Sequence, residues 1–562
     1  MKKNGESGDD DDESDLDLAD FAHSSEESDD NDEVAGEIFG ETNAGEPINS
    51  TSVLSNEWIT IANLELDTPP ALHQFSTQSG PVFTPDNDAP AASYYDRFFD
   101  PVNDESLWDL LVSETNKYQV YYTRKNPVLS SRSKVHLSEP TNVRKMRAFI
   151  GILLNMGLIR KHTIEGYWNC KDYSQNTPMF RQVFKLDTFK LHLRFFHVSD
   201  SDLEPKRGDQ NFDQTYKFRP VLDHFNTTWA RGYQLSSGIS IDESIVGFKG
   251  RHSLVNYIRI KKHHQWGPKE YNLCDAKTGY CHQTIYHTIG LKVSEHGQPF
   301  DVCDKLLANH GAKNHHLVVD NYYTSIPLCE KMLEKGIYVT GTVRSNRRGL
   351  PEKMKKVMKK KGEMVATRKD QILAVTWMDR KQVRLLSTHA DAGTHEIERY
   401  DGSKKVVPNI VSEYNNGMGG VDLSDQITDQ YAGELRTFKC WRKIVFHLFD
   451  RTATNAYLCY LNNPNIQGKK MSHYEFMVQL VEGLIGGYQE PRKKVGRPSI
   501  GSPEGRKVGR HFLEVIPDKK RKKCAVCAQK QEQGYQGTRI TTWCKDCGVG
   551  LCEGNCFKSY HN

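Results

Sequence analysis

Three aspartates in this chain stand in settings suited to phosphoryl chemistry. Asp320 closes the apolar run Leu317–Val319 in HHLVVDNYYTS, and Ser325-Ile326-Pro327 follows. A serine can cap the free N–H groups of a helix start, and a proline in the first turn gives up no needed donor. The segment therefore reads as strand, carboxylate, helix, and open α/β sheets place their sites at that end of the strands. Asp242 lies inside the strand-like GISIDESIVGFKGR. Asp422 and Asp425, three apart in GVDLSDQ, share one face of a helix entered through Gly417–Gly420. Brought together, three acids can hold two divalent cations, which activate one oxygen for attack on a phosphodiester and stabilise the one that leaves. Mg²⁺ takes hard oxygen ligands and keeps waters, so a few Asp side chains suffice. The three acids are far apart in sequence, so no local spacing rule proves that they meet.

A second constellation is built for zinc. Of 13 cysteines, six lie in the last 39 residues. Cys524-x2-Cys527 and Cys544-x2-Cys547 each place two thiolates on one tetrahedral metal, and Cys552, Cys556 and His561 add three ligands. Seven candidates exceed one zinc and fall one short of two full sites. In a cross-braced layout Cys524 and Cys527 pair with Cys552 and Cys556, and Cys544 and Cys547 pair with His561 and one more group, for which His511 is a candidate. So short a tail cannot fold on a hydrophobic core alone. A structural or protein-binding zinc finger is the other reading of this module.

The remaining elements must position these groups. A chain of 562 residues is too long for one core. Its net charge of +3 hides an asymmetry, because residues 1–40 hold 16 Asp/Glu against 2 Lys and the rest is basic. An acidic tail on a basic body points to a nucleic-acid partner. No apolar run reaches ~18 residues, so no membrane span is expected, and the acidic start is unlike a signal peptide. Residues 1–93 are too polar to offset their ordering entropy and are expected to be a disordered acidic region. Residues 94–236 read as a helical dimerisation and DNA-binding domain: Val143, Met146, Phe149, Ile150, Leu153, Leu154 and Leu158 recur at helical spacing, with Thr141 as a cap.

Residues 237–343 then run as three antiparallel strands, helix, strand, helix, strand, with a hairpin at Asp275–Gly279. That order predicts an α/β core of ribonuclease H-like type, a mixed sheet with helices. Residues 344–408, rich in Lys and Arg before short strands, read as an inserted subdomain. Residues 409–432 complete the core. The apolar segment 433–490 is expected to return onto the helical domain. A basic linker (491–520) precedes the cysteine-rich zinc domain (521–562).

SIDESIVGFKGR, VVDNYYTSIPLCEKM, YVTGTVRSNR and NNGMGGVDLSDQ together resemble the piggyBac transposase family. The similarity runs over roughly 95–490 and resumes in the cysteine region. It implies a catalytic triad at Asp242, Asp320 and Asp422, with Asp425 as a nearby acid that supports Mg²⁺. It implies a metal-dependent, cut-and-paste DNA transposase that works through hairpin intermediates and inserts at TTAA, and the nucleus is the expected compartment. A dimer is expected because two transposon ends must meet. Zinc, one or two ions, is expected at the cysteines. Trp441 in FKCWRKIVF reads either as a base-stacking indole or as a core aromatic. Arg497 in the single GRP core resembles an AT-hook fitted to a narrow A·T minor groove, and Lys519–Lys523 reads as an import signal. Two other readings stay open: a domesticated, non-catalytic DNA- or chromatin-binding protein on the same fold, and a nuclease without strand joining.

Overall fold

The computed structural model describes residues 57–491 and 511–561, except 63, 65–66, 68–70, 102–104, 131–132, 170, 260–263, 290–292, 399–401, 434 and 530–537. The acidic tail up to residue 56 and most of the basic linker, including Arg497, lie outside the described residues.

The helical part opens with α1 (Ala91–Phe99), α2 (Leu107–Lys125), α3 (Val143–Leu158), α4 (Leu186–Phe195) and α5 (Arg219–Gly232). Asn142, not Thr141, caps α3: its side chain accepts from the Lys145 N–H at 3.0 Å. Thr141 instead contacts the His192 ring at 2.8 Å.

The sheet is built from β1 (Gly238–Ile245), β2 (Trp266–Asp275), β3 (Cys281–Tyr286), β4 (His316–Val319) and β5 (Tyr338–Thr342), with α6 (Gln298–Leu306) and α7 (Ile326–Glu334) between its later strands. Their spatial order is β3-β2-β1-β4-β5. β2 runs antiparallel to β1, whereas β4 and β5 run parallel to it in sequence across the sheet. Ser325 caps α7 by accepting from Leu328 N–H at 3.3 Å, with the proline in the first turn. At the β2–β3 hairpin the Asp275 carboxylate accepts from Lys277 and Thr278 N–H at 3.1 and 2.9 Å, and Gly279 takes φ +74°. The left-handed region at that turn costs glycine nothing.

The inserted stretch joins the sheet. Its strands β6 (Met364–Lys369), β7 (Ile372–Met378) and β8 (Gln382–Ser387) form a meander, and β8 pairs with β5 through Leu385 and Thr342. An open strand edge offers unpaired N–H and C=O groups, and this meander satisfies them. One expectation is corrected: within 1–93, expected to be disordered throughout, residues 59–60, 67 and 80–81 are tied into the fold. Ile59–Thr60 pair with β6, Gly80–Pro81 pair with Tyr233–Gln234, and the Asp67 carboxylate pairs with Arg368 at 2.5 Å. Hydrogen bonds and an ion pair hold this polar stretch, which periodicity could not reveal.

The chain continues through α8 (Asn409–Gly417), α9 (Gly420–Tyr431), α10 (Cys440–Leu461) and α11 (His473–Ile485). One apolar cluster joins α1, α3 and α5 to α10 and α11, with Phe99, Phe149, Trp229, Phe449 and Phe476 at its centre. The second helical segment thus packs on the first. A separate cluster lies on the sheet under α6 and α7.

Candidate active site and zinc module

Asp242 lies in β1 opposite Asn272 of β2. On its other side Ile241 is in register with Val319 of β4, and Asp320 is the next residue. The two aspartates therefore sit at matching positions one parallel strand apart, a backbone separation of ~4.8 Å. Both are half-buried. Asp320 Oδ1 accepts from Tyr322 N–H at 2.8 Å. The loop behind it is pinned by Arg344, which donates to Asn321 at 2.9 Å, and by Arg347, which donates to the Asn321 and Tyr322 carbonyls at 2.7 and 2.8 Å. Burial raises the pKa of Asp320, and the neighbouring Glu243 charge raises it further. Burial raises the pKa of Tyr414 on α8, and the charges of Asp320 and Asp242 act in the same direction.

Asp422 is exposed in the first turn of α9. Two glycines press its helix onto the strands that carry the other acids. A Cβ on Gly417 would collide with Val318, two residues before Asp320. A Cβ on Gly420 would collide with Ser240, two residues before Asp242, and stand 2.9 Å from the Asp275 carbonyl oxygen. The structure thus brings Asp242 and Asp320 to matching positions on adjacent strands and packs the start of the helix that carries Asp422 onto those strands. Among the described residues the three carboxylates do not close to within 4.8 Å of one another. The donor set is oxygen alone, and Asp320 forms no ion pair with Lys or Arg among the described residues. Hard carboxylate donors, two of them half-buried, suit a divalent cation such as Mg²⁺.

Asp425 is directed elsewhere. Its carboxylate accepts from Ser244 Oγ at 2.5 Å and from Arg451 at 3.0 Å. Arg451 is fully buried and also pairs with the fully buried Glu270 at 2.8 Å, and His447 contacts the same Glu270 oxygen at 3.1 Å. Burial opposes ionisation of Glu270, yet Arg451 and His447 hold it below the usual carboxylate range. In this arrangement Asp425 braces α9 against β1, β2 and α10. Of the two readings of Trp441, its surroundings match the core aromatic: it is 6% exposed, stacked near Phe196 and 4.9 Å from the His197 ring, inside the helical core.

The cysteines form two tetrads: Cys524, Cys527, Cys552 and Cys556, and His511, Cys544, Cys547 and His561. Cys527 Sγ lies 3.8 and 3.5 Å from the Cys552 and Cys556 sulfurs. Tetrahedral zinc with Zn–S of ~2.3 Å needs sulfurs ~3.8 Å apart. His511 Nδ1 is 3.5 and 3.4 Å from Cys544 and Cys547, and His561 Nε2 is 3.4 Å from Cys547. The Phe557 carbonyl, 3.0 Å from His561 Nδ1, fixes the tautomer that leaves Nε2 free for metal. The folded module begins earlier than residue 521, since His511 is a member and Leu513–Val515 pairs with Thr542–Cys544. Part of the basic run is built into it: Lys522 Nζ donates to the Gly548 carbonyl at 2.9 Å and lies over the Trp543 ring.

Several positioning residues carry no local signature. Gly417, Gly420, Glu270 and Arg451 acquire their roles only from partners distant in sequence. Arg344 and Arg347 lie in or beside YVTGTVRSNR but do not reveal there that they pin the Asp320 loop.

Known proteins align with this picture. A transposase family model, described as Transposase IS4, matches residues 90–457, and a DDE_Tnp_1-like zinc finger model matches residues 506–562. The tetrads are thus a zinc-finger module. Human PiggyBac transposable element-derived protein 3 is 25% identical over 482 residues, covering 82% of this chain and 74% of the relative. Human PiggyBac transposable element-derived protein 2 is 21% identical over 376 residues, covering 63% and 59%. A piggyBac transposase solved by cryo-EM as a synaptic complex with hairpin DNA shares the fold, with a TM-score of 0.63, 22% identity, and coverage of 85% of this chain and 99% of that one. With a transposase model matched over most of its length and these relatives beside it, the chain belongs to the piggyBac-type transposase family.

Proposed function

We propose that the protein is a metal-dependent cut-and-paste DNA transposase whose acids are Asp242, Asp320 and Asp422 on a ribonuclease H-like core. The observation that carries this is the register of Asp242 and Asp320 on adjacent parallel strands, and the glycine packing that sets the start of the Asp422 helix on those strands supports it. The strand order β3-β2-β1-β4-β5, with β2 alone running against the other four, supports the core assignment. Residues 94–236 and 433–490 make one helical domain in this reading, and the zinc module with its basic approach is a DNA-binding appendage.

Asp242, Asp320 and Asp422 would hold Mg²⁺. When bound, a pair of such ions activates the attacking oxygen and neutralises the charge on the leaving one. The chain's own part is positioning. Arg344 and Arg347 fix the loop of Asp320, and Tyr414 on α8 feels the charges of the paired acids. The buried Arg451–Glu270–Asp425 network keeps α9 at a set height on the sheet. Phosphoryl transfer needs little more from a protein than geometry and charge.

Double-stranded DNA is the substrate, with transposon ends and TTAA targets following from family resemblance. A homodimer joins two ends, and the nucleus is the compartment. The test is a plasmid excision-and-integration assay with candidate ends, run beside Asp242→Ala, Asp320→Ala and Asp422→Ala proteins. Each variant should lose excision and retain end binding. Normal excision by one of them removes that residue from the triad. The human relatives are named as element-derived proteins, which favours a second reading, a domesticated DNA- or chromatin-binding protein. Under that reading the wild type binds DNA and shows no excision at all.

A further inference from the structure

A third group of ligating side chains meets apart from the acids and the zinc module. His316 opens β4, His389 follows β8, and Glu413 lies on α8. They come from three stretches of chain, and their ligand atoms lie within 4.8 Å of one another. Glu413 Oε1 is 3.0 Å from His389 Nδ1, and Glu413 Oε2 is 3.9 Å from His316 Nε2. In a tetrahedral site with metal–nitrogen and metal–oxygen bonds near 2.1 Å, donors stand ~3.4 Å apart. The two observed separations bracket that value. The imidazole rings stack with centroids 4.2 Å apart and planes 13° apart, so a nitrogen of each reaches the same carboxylate.

Hydrogen bonding alone explains the His389–Glu413 contact but leaves His316 and Glu413 too far apart to bond. Thr340 Oγ1 lies 2.8 Å from His316 Nε2, 3.4 Å from Glu413 Oε2 and 2.7 Å from Ser387 Oγ. With His316 Nε2 turned to a metal, this hydroxyl keeps Ser387 and Glu413 as partners. The side chains of His316, His389 and Glu413 are 15, 32 and 26% exposed, which leaves an approach for an ion and for a water ligand.

We infer that His316, His389 and Glu413 form a binding site for a borderline divalent cation of the Zn²⁺ class, with a fourth position open to water. Two imidazoles and one carboxylate suit such ions better than the all-oxygen set of the aspartates does. The ion would tie the start of β4 and the end of the β6–β8 meander to α8. Because α8 leads through Gly417–Gly420 into α9, it would anchor the helix pair that carries Asp422. The site itself stands whether or not the chain cuts DNA.

The test is equilibrium dialysis of the full chain against a fixed free Zn²⁺ concentration, with zinc per chain measured for wild type, His389→Ala and Glu413→Gln. The second variant keeps the shape of the side chain in case the first misfolds, and circular dichroism checks both. Each folded variant should hold one zinc fewer than wild type. After replacement by Co²⁺, the thiolate charge-transfer bands of the cysteine tetrads should be unchanged in the variants, which separates this loss from damage to the zinc module. Equal zinc in wild type and the folded variants overturns the proposal, as does a loss matched by weaker thiolate bands.

Discussion

Replacing Gly420 by alanine tests the positioning argument without touching an acid. Alanine is the better helix former by roughly 1 kcal/mol, so propensity alone predicts a gain. The structure predicts the opposite. The added Cβ would collide with Ser240 and stand 2.9 Å from both the Asp275 oxygen and the Ala276 Cα. Ser240 can rotate, but the Asp275–Ala276 backbone cannot move without disturbing the β2–β3 hairpin. Relief to ordinary contact, ~3.5 Å or more, requires α9 to lift by roughly 0.5–1 Å. Asp422 lies two residues along and moves with it. A shift of about 1 Å in a group that orients reacting atoms costs about 100-fold in rate. Excision should therefore fall about 10- to 100-fold, with a stability loss of about 1–3 kcal/mol from overpacking. Gly419→Ala is the control, because a Cβ there meets nothing within 4 Å. The assay is initial excision rate on a donor plasmid, beside a denaturation curve for each protein. Wild-type excision by Gly420→Ala, or an equal loss in Gly419→Ala, would refute the claim that this contact sets the height of Asp422.

Arg451→Met keeps side-chain length but leaves the fully buried Glu270 without its cation. Such half-broken pairs cost about 3–5 kcal/mol, read as a lower denaturation midpoint, and a loss below ~1 kcal/mol would show that the network does not brace the fold. Asp450 on α10 is held by the Gly433 N–H at 3.2 Å, and burial pushes its pKa up to about 7. Folded protein then binds a proton that unfolded chain has released between about pH 4 and 7, so stability falls as pH rises through that window, by about 1.4 kcal/mol per unit. Asp450→Asn should flatten this slope and be more stable than wild type at pH 8; an unchanged pH profile of melting would refute the assignment.

Much was legible along the chain because it depends on local chemistry. Ser325 and Pro327 start a helix by capping and by φ alone, and Asp275 with Gly279 makes a turn from its own neighbours. The paired CxxC motifs declare zinc because two thiolates within one turn already satisfy half a tetrahedron. Counting ligands showed that seven candidates fall one short of two sites, but which cysteines share a metal, and that His511 joins the second group, is read only from the folded tail. What no segment could reveal is anything decided by partners far apart in sequence. Trp441 beside basic residues looks the same whether a base or Phe196 lies across its face. Asp425, three residues from Asp422, shares its helix but turns to Arg451, because a buried guanidinium between two carboxylates outweighs the pull of helical proximity. The β6–β8 meander extends the sheet because β5 offered an open edge, and an open edge exists only once the strands have assembled. Residue types therefore set which chemistry the chain can perform. Packing, through close glycine contacts and buried charge, decided that Asp242 and Asp320 stand at matching positions on adjacent strands and that Asp425 turns to Arg451.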